Sequence, residues 1–210
     1  MIARQGEPCD EILVLYRGWA MRFRVAPDGR RQIFSILLPG DPLAPLALPV
    51  GRHEYSILAL TEVEISHFAW DRLNAYLGAN ADLSNRLDSY RAREFSNATE
   101  LVTDLAVRSA RQRIARFTLD LYDRLSRRGM VQGNTYEYPL TQLHLGDLLG
   151  LTAVHVSRVV TELNASGAIQ FELNKVTIKD FALLAELAAI GSPRAQRGDG
   201  IHAAHHVLRR

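Results

Sequence analysis

The stretch Leu140-Thr141-Gln142-Leu143-His144-Leu145-Gly146-Asp147-Leu148-Leu149-Gly150-Leu151-Thr152-Ala153-Val154-His155-Val156-Ser157-Arg158-Val159-Val160-Thr161-Glu162-Leu163 decides the fold. Thr141 and Thr152 stand where two helices should begin, and a threonine hydroxyl there accepts a backbone N–H of the first turn. The first helix buries Leu145, Leu148 and Leu149. Gly150 suits the left-handed backbone that ends it, and Gly146 is small enough to let the two helices approach closely. In the second helix Val156, Val159, Val160 and Leu163 form the buried face, so Ala153, Val154, Ser157 and Arg158 point elsewhere. Two short helices around a tight glycine-containing turn lay the second helix in a DNA major groove. A hairpin of ordinary core helices would share the apolar pattern. The next residues favour DNA: Gly167–Phe171 and Lys175–Ile178 read as a two-stranded wing, with Glu172-Leu173-Asn174 as its turn.

Upstream of this unit, residues 1–70 read as β. Ile12–Tyr16 is a strand closed by Arg17-Gly18. Trp19–Val25 alternates, with Trp19, Met21, Phe23 and Val25 on one side and Arg22 and Arg24 on the other. Gln32–Leu38, Tyr55–Leu60 and Val63–Phe68 continue a run of short strands that suggests a barrel or jelly-roll-like sandwich. The period then changes. Trp70 opens a short helix, and a long one begins near Asp82. Leu83, Leu87, Tyr90, Ala98, Leu101 and Leu105 recur at three-, four- or eight-residue steps, with Val102 and Ala106 beside them. Such a seam pairs two subunits as a coiled coil; a helix packed on its own domain is the alternative. A further helix from Ser109 to Arg127 turns Ile114, Phe117, Leu121 and Leu125 inward and Arg111, Arg113, Arg116 and Arg124 outward. Residues 130–139 read as a connection, and the Gly-, Arg- and His-containing tail from Gly191 as disordered.

Composition agrees with a globular chain: 210 residues, 47% hydrophobic, 23% charged. No apolar run is long enough to span a bilayer, and the first residues lack the apolar core of a signal peptide. The single cysteine, Cys9, excludes an internal disulfide and any all-cysteine metal or iron–sulfur cage within one chain. A cytoplasmic, reducing location is the natural reading. The net charge of +2 does not announce nucleic acid, and residues 140–179 carry Arg158, Lys175 and Lys179 against Asp147, Glu162 and Glu172. DNA binding must therefore rest on local patches.

Pro139-Leu140-Thr141-Gln142, Gly150-Leu151-Thr152 and Val154-His155-Val156-Ser157-Arg158 resemble the winged helix of the Crp–Fnr superfamily of transcription regulators. Gln5-Gly6-Glu7-Pro8, Tyr16-Arg17-Gly18, Leu38-Pro39-Gly40-Asp41 and Ala59-Leu60-Thr61-Glu62-Val63-Glu64 resemble, in order, landmarks of that family's β-roll sensor. The resemblance covers about residues 2–190. It implies an α+β chain with a β-roll sensor domain at 1–80, a dimerisation helix at 81–107, a winged helix-turn-helix at 108–190 and a tail at 191–210. It also implies a homodimer on double-stranded DNA at a palindromic operator, RNA polymerase as a further partner, and no enzymatic activity. Half-sites one helical turn apart are the family's expectation, of which its type member is a standard example.

Carried over by position, Arg158 matches the family's base-reading arginine, whose fork bonds guanine O6 and N7 together. Ser157 matches a DNA-reading position of the fumarate-nitrate branch. Val154 stands where both well-known branches keep a DNA-contacting glutamate. Valine offers only apolar contact, for example to a thymine methyl, so the operator should differ from both. Ala153 and His155 lie beside it, and the Thr141 and Thr152 hydroxyls add phosphate contact to capping.

The sensor half departs from the family. Its cyclic-nucleotide site uses a Gly-Glu pair for the ribose and an Arg-Ser pair for the phosphate. Here the first falls on Ala44-Pro45 and the second around His53-Glu54, or on Tyr55-Ser56 with a gap; Arg52 substitutes only if the loop shifts. The effector pocket, if kept, is then lined by Ala44, Pro45, Arg52, His53 and Ser56. Cyclic nucleotide of the usual kind is not expected, nor is an iron–sulfur cluster, and no metal site is assigned. Haem stays open, with His53 and His67 as candidate ligands. Two other readings remain at this point: a cupin-like ligand-binding or metal-enzyme domain, which needs histidine spacings not found here, and a regulator acting mainly through protein contacts at exposed residues such as Arg30 and Arg31.

Overall fold

The computed structural model describes residues 1–44 and 51–189. Pro45 and the tail from Gly191 lie outside the described residues. Among the described residues the front half is a roll of seven strands: β1 (Pro8–Cys9), β2 (Glu11–Arg17), β3 (Ala20–Val25), β4 (Arg31–Leu37), β5 (Gly51–Arg52), β6 (Ser56–Ala59) and β7 (Glu64–Ala69). All their pairings are antiparallel, in the orders β4-β3-β6, β2-β7 and β1-β5. The turn from β2 to β3 needs its glycine: Gly18 has φ +89°, and a Cβ there would lie 2.1 Å from the Glu62 carbonyl oxygen.

The alternation expected along Trp19–Val25 fails at Arg22 and at Val25. A register shift between Arg22 and Phe23 turns the strand, so Met21, Arg22 and Phe23 are all buried while Val25 is exposed. Arg22 is 5% exposed, and its guanidinium meets the Glu94 carboxylate at 2.7 Å on the long helix beyond. Charged residues are buried only when paired, and that partner lies 72 residues away.

Six helices and four further strands complete the described residues. α1 (Trp70–Ala79) leads into α2 (Ala81–Val107), 27 residues capped at its start by the Asn80 side chain. α3 (Ala110–Ser126) opens with a reciprocal capping box between Ser109 and Gln112. The supposed connection at 130–139 instead holds β8 (Val131–Gln132) and β9 (Thr135–Glu137), which extend the wing. With β10 (Ile169–Glu172) and β11 (Lys175–Ile178) they form one sheet in the order β10-β11-β9-β8. Buried Tyr136 and Val176 face each other across it, so the short strands are held by core packing that a local reading lacks. α4 (Gln142–Leu149) and α5 (Ala153–Ala165) form the helix-turn-helix, and α6 (Phe181–Leu187) closes the domain.

One core runs through both halves. Trp19, Met21, Phe23, Ile33, Ile36 and Leu38 of the roll join Ile114, Leu121, Leu149, Val156 and Leu163 of the winged helix. A smaller core of Leu15, Ala20, Leu37, Leu43 and Ile57 stays within the roll. Polar contacts reinforce the join. Asp41, on the turn after β4, takes Arg128 at 2.6 Å and Arg124 at 3.2 Å. Arg31 on β4 meets Asp147 on α4 at 2.7 Å, and the Gln32 amide donates to the Leu148 carbonyl. The outward positions read for Arg113, Arg116 and Arg124 on α3 are thus corrected. All three are half-buried, because acids and carbonyls on other elements receive them.

The seam read on α2 lies largely against its own chain. Leu83, Leu87, Tyr90, Leu101 and Leu105 are half-buried already within one chain, and only Ala98 is exposed. The Tyr90 phenol lies near Arg22, Glu94 and Asp41, and burial followed by the Glu94 charge raises its pKa above the ordinary value. Leu105 packs on Gly150 at the helix-turn-helix. The neighbouring face of α2 carries Ala92, Phe95, Thr99, Val102 and Ala106, all exposed, in three- and four-residue steps. Phe95 is 77% and Val102 66% exposed.

Candidate nucleic-acid interface

The helix-turn-helix is built by local chemistry. The Thr141 hydroxyl accepts the His144 backbone N–H, and the His144 ring nitrogen Nδ1 accepts the Thr141 N–H in return. Histidine thus fills the place that glutamate or glutamine takes in most capping boxes. Thr152 caps α5 by accepting the His155 N–H at 3.2 Å. Gly150 ends α4 with φ 66° and ψ 38°. A Cβ on Gly146 would lie 2.6 Å from the Leu151 carbonyl oxygen, so only glycine lets the turn close over α4. Val156, Val159 and Leu163 bury the inner face of α5.

The outer face follows from that burial. Val154 and Arg158, one turn apart, are exposed, Val154 at 82%. The Arg158 guanidinium is 3.9 Å from Glu162 on the next turn, a surface pair that leaves it available. Ala153, His155 and Ser157 are half-buried along the flanks of this face, and Thr141 and Thr152 are exposed at the two helix starts. Leu143 in the first turn of α4 is 56% exposed and Leu173 in the wing turn 90%. Leu143 carries no sequence signal for this surface, since it sits among buried leucines, and only its exposure in the fold reveals it.

The frame holding this unit relies on Arg113. Its guanidinium donates to the carbonyls of Leu105 and Leu149, and its Nε to that of Arg108. One side chain therefore satisfies the open ends of α2 and α4 together. Arg108 and Arg116 share Glu100 and Asp104 beside it. Nothing in the local pattern marks Arg113, since one of its acceptors, Leu149, lies 36 residues on in α4.

The roll places its candidates apart from this face. Ala44 is half-buried. Arg52 donates to the Gly6 carbonyl at 2.7 Å, and Ser56 accepts the Gln5 N–H at 3.1 Å. His53 is 7% exposed, its Nδ1 without a partner, and burial lowers its pKa against the small opposing pull of Glu7. His67 is exposed and bonded through Nδ1 to Glu11. Arg52 is thus engaged at Gly6, and Glu54 receives Arg24 through its backbone carbonyl and its carboxylate. Cys9 is half-buried on β1, and burial raises its thiol pKa. Among the described residues no group of three or more His, Cys, Asp or Glu is placed to hold a metal ion, and no helix is long and apolar enough to cross a membrane.

A seven-strand roll joined by a long helix to a winged helix-turn-helix defines a DNA-binding transcription regulator. Residues 1–80 match the cyclic nucleotide-binding domain model and residues 112–187 the Crp-like helix-turn-helix domain model. The nitrogen fixation regulation protein FixK of Bradyrhizobium diazoefficiens is 34% identical over 168 residues, covering 80% of this chain and 69% of that one. The transcriptional activatory protein AadR of Rhodopseudomonas palustris is 30% identical over 185 residues, covering 88% and 76%. The solved structure of FixK2 from Bradyrhizobium japonicum superposes with a TM-score of 0.77 at 25% identity, covering 89% of this chain and 91% of that one. The chain belongs to the Crp/Fnr family of transcription regulators. It is a regulator and not an enzyme, which removes the cupin-like enzyme reading.

Proposed function

We propose that the protein works as a homodimer joined along α2, with two recognition helices in successive major grooves of an inverted-repeat operator. The observation that carries this is the exposed face Ala92, Phe95, Thr99, Val102 and Ala106 of α2. Its three- and four-residue steps match a coiled-coil seam, and large apolar residues there need a partner. A second copy supplies the same face under twofold symmetry. Arg158 then reads guanine, Ser157 and His155 flank it, and the Thr141 and Thr152 hydroxyls meet phosphate.

The roll works in the cytoplasm without a cyclic nucleotide held in the family's usual way and without an iron–sulfur cluster. Arg31 is tied to Asp147, so contact with RNA polymerase falls to the exposed β3–β4 turn that bears Arg30.

The test is Phe95→Glu, which puts like charges opposite each other in the seam. Sedimentation is expected to give a monomer, and affinity for an inverted repeat selected from random duplexes falls by about 100-fold or more as the linked second contact is lost. A Phe95→Glu protein that stays dimeric would overturn the assignment of this face.

A further inference from the structure

The exposed large apolar side chains of the winged helix are Leu143, Val154, Leu173 and Phe181. Three of them stand on the three elements a winged helix turns toward DNA: the first turn of α4, the first turn of α5 and the wing turn. Cations are scarce on the same surface. Arg158 has Glu162 beside it, and Lys175 and Lys179 are the only lysines in the chain. This surface therefore has unusually little charge with which to read polar base edges.

Val154 is the sharpest instance. It is 82% exposed, it makes no contact that folding needs, and a β-branched residue is not the choice for an open helix position. It lies one turn before Arg158, so the two Cβ atoms stand about 5–6 Å apart on one face. That separation spans one or two base-pair steps. The major groove offers one methyl group, the 5-methyl of thymine; the other groups from which its code is read are hydrogen-bond donors and acceptors. A valine facing cytosine would leave the N4 amino group without its acceptor, and a buried unpaired donor is costly.

We propose that Val154 reads a thymine 5-methyl group in a base pair next to the one whose guanine Arg158 holds. The isopropyl group excludes water from the methyl, and Arg158 fixes the register. This contact rests on the recognition helix entering the major groove, as in the function proposed above.

The experiment begins with selection from random duplexes, and the recovered sequence is the probe. Each thymine of the half-site is then replaced in turn by uracil, which removes only the methyl. One position is expected to weaken wild-type binding about fourfold per half-site, the value of one buried methyl. Val154→Ala loses most of that difference. Val154→Glu, repeated through the selection, shifts the preferred base at that position to cytosine, whose amino group a carboxylate accepts. Both variants change an exposed side chain and leave the fold unaltered by circular dichroism. If no uracil substitution weakens the wild type more than it weakens Val154→Ala, the methyl reading is overturned while DNA binding stands. If selection recovers no motif, site-specific binding itself falls and the methyl reading with it.

Discussion

In the roll and at its borders arginines point inward onto acids: Arg22 onto Glu94, Arg31 onto Asp147, and Arg124 and Arg128 together onto Asp41. In the winged helix the outward face of α5 carries Arg158 in solvent with apolar Val154 a turn before it. The two regions thus use the same residue type for opposite ends. An inward guanidinium costs desolvation and gives fixed geometry, since its several donors hold two elements at a set angle. An outward one costs little and contributes little until a partner arrives. Arg31, Arg124 and Arg128 are engaged in joining roll to winged helix and are therefore not free to meet DNA. The difference also places the rigidity of the molecule at that join rather than at the DNA face.

The largest effect that breaks this contrast is at Arg22, whose side chain is 6% exposed against 29% for Glu94. Glu94→Gln leaves a buried guanidinium with no counter-charge and is expected to cost about 3 kcal/mol in urea unfolding. The partial exposure of Glu94 keeps the figure at the low end of the range for buried pairs. Arg22→Met with Glu94→Leu removes both charges and should recover most of that loss. A double variant as unstable as Glu94→Gln would mean that the pair does more than cancel itself.

A smaller effect sharpens the contrast at the roll–winged helix join. Arg31 and Asp147 are 23% and 19% exposed, and two guanidinium nitrogens reach the same carboxylate oxygen. A double-mutant cycle of Arg31→Ala and Asp147→Ala should give a coupling of about 1 kcal/mol, more than an open surface pair and less than Arg22–Glu94. Coupling indistinguishable from zero would make the join apolar alone.

The winged helix was legible in the sequence because its determinants are local. Thr141 bonds three residues on, Gly150 turns its own backbone, and Gly146 meets Leu151. The roll was legible only as a run of strands. Arg22 reads as outward in a two-residue period, and its burial depends on a strand irregularity and on a helix far along the chain. The two faces of α2 are hard to tell apart for a related reason. The larger leucines lie on the face that is half-buried against the same chain, and the exposed row of Ala92, Phe95 and Thr99 is picked out only once that packing is known. Short strands β8 and β9 carry no periodicity of their own and are defined by the wing they join.

The smallest effect concerns His144, at the meeting of both regions. Burial lowers its pKa from 6.5, Arg31 lowers it further, and Asp147 opposes them. The folded chain therefore holds the imidazole neutral at a pH where the unfolded chain has begun to protonate it, so the unfolded state binds more protons. Stability is full above about pH 6.5 and declines as pH falls through the interval between that value and the lowered one. Protonation also removes the Nδ1 lone pair that accepts the Thr141 N–H, so the start of α4 loosens with it. His144→Gln keeps an acceptor at the same place in the capping box and does not titrate. Comparing thermal unfolding of the two proteins from pH 7.5 down to about 5 should show a shallower decline in the variant, by less than about 1 kcal/mol. His53, also buried and lowered, supplies the part of the decline that both proteins share. Identical slopes in the two would assign the whole acid response to the roll and leave the winged helix indifferent to pH.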